Sequence, residues 1–254
     1  MALQISSAPP RGADIVSIDA FNSFSGLHVG VTYIKDGHTH LQKPYLNIYC
    51  GKGTESDTKL ESVADTCQTI ELDFVPFQLT HTKSIDNELE DHTVFLLSGG
   101  DEKIHMFAKD PMNQQFVERK VEDCFPEFQN LPSSVIWMDI YRDNINGRRI
   151  SCFACQNGFL KVVVVNENEV RNEWSSMHDG PVSSVKIFTY EAKQYSVSDE
   201  LKEVLQLPEE NKDDTKTANY PLHLLVTGVI EPSVIYEDIL NNGLSKLSIL
   251  PDSD

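Results

Sequence analysis

Apolar and polar positions along the chain fall into a four-part pattern that recurs four times. An apolar strand follows a proline, a second strand ends near a glycine, a third is short and apolar or alternating, and a fourth is charged. The first strands cover residues 15–21, 77–82, 135–141 and 185–190, behind Pro10, Pro76, Pro132 and Pro181. Two of them share a Ser-Ser-Val entry, at 133–135 and 183–185. The second strands cover 29–33, 94–98, 150–155 and 224–227, with Gly30, Gly99, Gly158 and Gly228 in or just after them, where a tight turn or a close approach needs a residue without a side chain. The third strands, 45–50, 104–107, 160–165 and 234–236, suit sheets packed between neighbouring sheets. Fourth strands fit 69–74, 116–121 and 169–174, where charged and aromatic residues alternate as an outer edge requires; the last unit shows none.

A repeat of about fifty to sixty residues lies at the long end of the propeller range of roughly 40–50, the excess falling in loops. The expected fold is therefore all-β, a β-propeller with four recognisable blades at about 12–74, 76–122, 132–176 and 181–250, in an incomplete ring. Such an architecture presents loops and edges to other molecules and argues against an enzyme, a hydrolase built on a propeller being the weaker alternative.

Composition agrees with a globular chain, since 40 % hydrophobic residues over 254 positions fill a large core and no apolar run approaches the roughly 20 residues of a membrane span. The first fourteen residues lack the basic start and apolar stretch of a secretory signal. Five cysteines without framework spacing fit a reducing compartment, and a cytoplasmic location is expected. The net charge of −18 disfavours nucleic acid, which is bound largely through Lys and Arg. The acid is not uniform: 191–220, between the first two strands of the last blade, carries Glu191, Asp199, Glu200, Glu203, Glu209, Glu210, Asp213 and Asp214 and reads as a partly disordered surface insertion. Within it Leu201, Val204 and Leu205, behind Ser198 and Asp199, have the spacing of one short amphipathic helix, a docking segment as the alternative to a solvated loop. A second polar loop covers 51–65.

Each tempting chemical constellation is outweighed by a plainer reading. Cys152 and Cys155 form a Cys-x-x-Cys on a strand, where positions three apart face opposite ways and cannot share a metal without a bend. His38 and His40 lie in a turn with no third ligand nearby. The run Asp143-Asn144-Ile145-Asn146-Gly147 resembles the start of a calcium loop, but Arg148 and Arg149 stand where the terminal acid belongs, and a hairpin turn at Asn146-Gly147 is the better reading. No Gly-x-Ser-x-Gly elbow or Walker-type loop is present. No catalytic, cofactor-binding or metal-binding residue is assigned. Trp137, Trp174, Phe125 and Phe128 read as core aromatics, with a loop anchor at 125–131 as the alternative.

The segments 15–22 (IVSIDAFN), 29–35 (VGVTYIK), 46–50 (LNIYC), 71–79 (ELDFVPFQL), 93–99 (TVFLLSG) and 180–185 (GPVSSV), with the tail from Glu231 to Asp254, resemble the kaptin family over nearly the whole chain. The resemblance implies a propeller of the integrin-α type and a subunit of KICSTOR, the complex that tethers the GATOR-type Rag regulator to lysosomes. Through that complex it would restrain target-of-rapamycin signalling when amino acids or glucose are short. It further implies partners that include another integrin-α-repeat propeller, actin filaments in lamellipodia, and no membrane insertion. The family has further sequence on both sides, so the chain resembles a central fragment or short isoform. Residues 3–6 then read as the outer strand of an earlier, missing blade; as the alternative, they complete the last blade and close a four-bladed ring.

Overall fold

The structure, a computed structural model, describes residues 12–23, 25–36, 42–51, 67–84, 93–189 and 220–250. Its strands form four antiparallel four-stranded sheets, each a meander in chain order. The first holds β1 (Asp14–Ser23), β2 (Gly26–Asp36), β3 (Gln42–Cys50) and β4 (Cys67–Glu71); the second holds β5 (Pro76–Lys83), β6 (Thr93–Gly99), β7 (Ile104–Lys109) and β8 (Phe116–Arg119). The third contains β9 (Val135–Asp143), β10 (Arg148–Cys155), β11 (Phe159–Asn166) and β12 (Glu169–Met177). The fourth contains β13 (Val182–Phe188), β14 (His223–Gly228), β15 (Val234–Tyr236) and β16 (Leu247–Ile249). These sheets are the four blades of an incomplete β-propeller. Residues 3–6, His38, His40, the loop at 52–65 and most of the acidic insertion, including the expected helix at 201–205, lie outside the described residues.

The blades stack through their first strands: β1 packs on β5, β5 on β9 and β9 on β13. Three apolar layers fill the joints. Leu46 and Ile48 meet Leu79, Phe95 and Phe107 between blades one and two. Leu96 and Met106 meet Met138, Phe153 and Val163 between two and three, and Ile150, Cys152 and Val162 meet Val185, Leu224 and Val226 between three and four. Sheets covered on both faces need near-continuous apolar strands, which is why every residue of β6 is buried. Outer strands such as β12 have lost one neighbour and carry the charge.

Two sequence expectations are corrected. The last blade does have a fourth strand, β16; three residues are too few to show alternation, and a short helix, α1 (Ile239–Asn242), separates it from β15. The first strand of that blade runs from Val182 to Phe188, not from 185 to 190, because the Ser-Ser pair lies inside the strand as a bulge and not before it.

Gly30 in β2 shows why blades need a residue without Cβ there: an added Cβ would strike the Leu79 side chain and crowd the Phe95 ring.

Candidate functional site

All four innermost strands share one local device. Each carries a register break against its neighbour, at Ile15/Ser17, Pro76/Leu79, Val135/Trp137 and Val182/Ser184. A bulge inserts one residue, so two residues three apart come to point the same way. The pairs so made are Ile15 with Ile18, Pro76 with Leu79, Val135 with Met138, and Val182 with Val185. In blades two to four the pair faces the preceding blade and is buried, with Leu79, Met138 and Val185 at most 3 % exposed. In blade one Ile15 and Ile18 are 56 % and 58 % exposed. This apolar strip, at a position covered three times elsewhere, is the candidate interaction site.

The same strands are joined by side chains that bond to the backbone of the next blade. Leu79 N–H donates to Ser17 Oγ at 3.0 Å. Gln78 occupies the place of Ser17 and clamps one residue from both sides: Met138 N–H donates to its Oε1 at 2.6 Å, and its Nε2 donates to the Met138 carbonyl at 3.0 Å. In β9 that place is taken by Trp137, and the bond moves two residues along, Ile187 N–H donating to Asp139 Oδ2 at 2.7 Å. Each acceptor satisfies an inner-edge N–H that no neighbouring strand can reach. A second glutamine repeats the clamp at the outer rim, where Gln68 in β4 bonds both the N–H and the carbonyl of Phe116 in β8, at 2.7 and 2.6 Å. His81 Nδ1 and Asp19 Oδ2, 2.7 Å apart, add a hydrogen bond between blades one and two. In blade four the residue in the place of Ser17 is Ser184, whose hydroxyl lies 2.7 Å from Thr227 Oγ1.

The residues singled out in the sequence are dispersed by this arrangement. Cys152 belongs to the layer facing blade four and Cys155 to the layer facing blade two, so the two thiols point into different joints. Burial pushes the Cys152 thiol well up and that of Cys155 to about 11. Asp143 to Gly147 is a hairpin turn with Gly147 at φ +64°. The Asp143 carboxylate accepts from Asn146 N–H, Asn146 Nδ2 and Arg148 Nε, at 3.1, 2.7 and 2.8 Å, so its oxygens are spent on the turn. Phe125 and Phe128 are buried in the joint between blades two and three, which removes the loop anchor at 125–131 as an exposed feature. Trp174 packs on the joint between three and four, but Trp137 is 38 % exposed, a correction to its reading as core, because its place on β9 is one that blades one and four fill with serine. Among the described residues no three His, Cys, Asp or Glu side chains gather as a metal site, and no helix is long and apolar enough to cross a membrane.

Two polar constellations were not legible in the sequence. Arg149 and Glu127 form a fully buried bidentate pair, Nε to Oε1 at 2.7 Å and Nη2 to Oε2 at 2.8 Å, with Ser151 Oγ donating to the same carboxylate. The Arg149 guanidinium also lies 4.4 Å above the Phe125 ring. Its cross-strand neighbour Arg142 is held below the usual guanidinium range, first by burial and then by the Arg149 charge, against partial relief from Glu127. The second is His178, whose Nδ1 meets Glu231 Oε2 at 2.8 Å while Nε2 lies 3.3 Å from Tyr236 Oη. His178 follows β12 and Glu231 precedes β15, so the contact latches blade three to blade four. A recess of about 300 Å³ beside it is lined by Met177, Pro232, Val234, Leu247 and Ile249. The only signal for either was a charged residue inside or next to an apolar strand, which demands a partner without naming it.

The chain matches the family model described as KICSTOR complex protein kaptin over residues 8–254. It is similar to the KICSTOR complex protein kaptin of Mus musculus, with 39 % identity over 251 residues, covering 96 % of this chain and 54 % of the mouse protein. The chain thus spans about half the length of the curated relative it matches.

Proposed function

The chain belongs to the family of KICSTOR complex protein kaptin, and on that premise we propose that it is a non-catalytic scaffold subunit of a KICSTOR-type assembly. In this reading its blades and loops hold other subunits, including a second integrin-α-repeat propeller. The assembly tethers the GATOR-type Rag regulator at the lysosomal surface and restrains target-of-rapamycin signalling during amino-acid or glucose starvation.

The observation that supports it most is membership of that family, beside which the first blade carries an apolar strip at Ile15 and Ile18 on its surface. The polar side chains with the most developed geometry, Gln78, Gln68, Asp139 and Glu127, are bonded between or within blades, as befits a rigid support. Association with actin filaments in lamellipodia is the lesser part of the proposal, since a chain of net charge −18 meets an acidic filament at an electrostatic disadvantage.

The test is co-purification of the tagged protein from starved cells. Recovery of the other KICSTOR subunits is the expected result, and their absence, with the tagged protein folded and abundant, would overturn the reading. Co-sedimentation with filaments across a salt series tests the actin part; protein left in the supernatant at low salt ends it.

A further inference from the structure

Asparagine is followed by glycine at Asn146-Gly147, Asn157-Gly158 and Asn242-Gly243. In such a pair the glycine nitrogen can turn onto the asparagine amide carbon, because no Cβ stands in the way. All of these asparagines are exposed, so exposure of the amide does not distinguish them. The glycines do. Gly158 N–H donates to the Cys155 carbonyl at 3.1 Å, and Gly243 N–H donates to the Ile239 carbonyl at 3.0 Å. Both glycines are buried, and a Cβ on them would strike the His178 carbonyl and the Trp174 ring respectively. Their nitrogens are committed, and their backbones have no room to turn. Gly147 is exposed, nothing lies within 4 Å of where its Cβ would stand, and its N–H bonds to no carbonyl among the described residues. Ile145 beside it is 72 % exposed, so water and hydroxide reach the turn. One restraint remains there. The Asp143 carboxylate accepts from Asn146 N–H at 3.1 Å and from Asn146 Nδ2 at 2.7 Å, and so holds the amide back towards residue 143.

We propose that Asn146 is a site of spontaneous deamidation, that the fold protects Asn157 and Asn242 from the same reaction, and that Asp143 sets its pace. The Gly147 nitrogen gives its proton to solvent hydroxide and attacks Asn146 Cγ. A C–N bond forms and closes a cyclic imide, while the Cγ–Nδ2 bond breaks and the amide nitrogen leaves as ammonia with a proton from water. Water then opens the imide at either carbonyl. The products are aspartate and isoaspartate, the latter with an extra methylene in the backbone. No electrons are transferred, and water is the only co-reactant. Either product puts a carboxylate oxygen where Nδ2 had donated to Asp143 Oδ2, and two like charges in hydrogen-bond contact repel. Asp143 is then left with Arg148, and the turn between β9 and β10 loosens. The modification thus adds a negative charge at the tip of blade three and opens the hairpin there.

Peptide mapping by mass spectrometry tests the proposal on the full native chain, incubated at mildly alkaline pH and body temperature. The expected result is progressive conversion of Asn146 to a mixture of aspartate and isoaspartate, with Asn157 and Asn242 retained as amides. In urea all of these sites should convert at comparable rates, because unfolding frees Gly158 and Gly243. Asp143→Ala releases the Asn146 side chain from its bond to a charged acceptor and should speed conversion at 146 by about tenfold. Retention of Asn157 and Asn242 in that variant reports that blades three and four are still folded. Native conversion at 157 or 242 as fast as at 146, a preference for 146 that persists in urea, or a rate at 146 unchanged by Asp143→Ala overturns the proposal.

Discussion

Replacing Gln78 by alanine removes a clamp that holds blade two to blade three. Its amide accepts from Met138 N–H at 2.6 Å and donates to the Met138 carbonyl at 3.0 Å, and the whole side chain is buried. Truncation leaves two buried backbone groups without partners, each costing about 1–3 kcal/mol, so the loss is roughly 2–5 kcal/mol. For a chain of this size that lowers the melting temperature by on the order of 5–15 °C. Gln78→Glu separates the two bonds: the carboxylate still accepts from the N–H but has no hydrogen for the carbonyl, so it recovers at most part of the loss. Gln68→Ala makes the same cut at the outer rim, where water replaces some of the bonding, and should cost less than Gln78→Ala. Urea titration followed by tryptophan fluorescence, with Met112→Ala as the exposed control, gives the ranking. If Gln78→Ala is indistinguishable from the control, the clamp contributes nothing and the physical account of blade cohesion fails.

Three further predictions follow from the packing of the blades. Glu127→Ala strands Arg149 as an unpaired buried charge and should cost about 3–5 kcal/mol, whereas the double replacement Glu127→Leu/Arg149→Met should recover most of it; urea midpoints of the three proteins decide. Burial alone would raise the Asp143 carboxyl, but the bonds from Asn146 and Arg148 outweigh it and hold the group below the usual carboxylate range. A depressed carboxylate stabilises the fold above its unfolded value and loses that contribution as pH falls through the folded one, so melting between about pH 5 and pH 2 should be less acid-sensitive in Asp143→Asn. Thiol labelling of the native protein at neutral pH should reach Cys50 and Cys67, which are half-buried, well before the buried Cys124, Cys152 and Cys155; equal rates would contradict the layered packing.

The strands were legible because each blade repeats one pattern and burial on both faces leaves runs such as Thr93–Gly99 unmistakably apolar. Their ends were less so. The bulges lengthen the inner strands past the alternating segment, and β16 is too short to carry a period. The family resemblance was legible from strand-forming segments spread along the chain, and the matched family now accounts for residues 8–254. The exposed strip was not. Ile15 and Ile18 have the same apolar character as Leu79 or Val185, and only the stacking shows that three such pairs are covered while this one is not. The clamps were hidden for the opposite reason: Gln68, Gln78 and Asp139 look like ordinary polar strand positions, and their partners are backbone groups about fifty to sixty residues away. The buried Arg149 stood in a strand whose pattern called for a counter-charge, but Glu127 lies in a short 3-10 turn that no periodicity marks.

Hydrogen exchange at three amides, Leu79, Met138 and Ile187, tests the stacking of blades around inner strands most directly. Each N–H bonds to a side chain of the preceding blade, so exchange should require the joint to open and should be as slow as in the buried strand β6. Ser17→Ala should accelerate Leu79, Gln78→Ala should accelerate Met138, and Asp139→Ala should accelerate Ile187, each with little effect on the other two. Exchange at these three positions as fast as in the exposed turn at 144–147 would mean that the sheets do not stack in this way, and the scaffold built on them would fall with them.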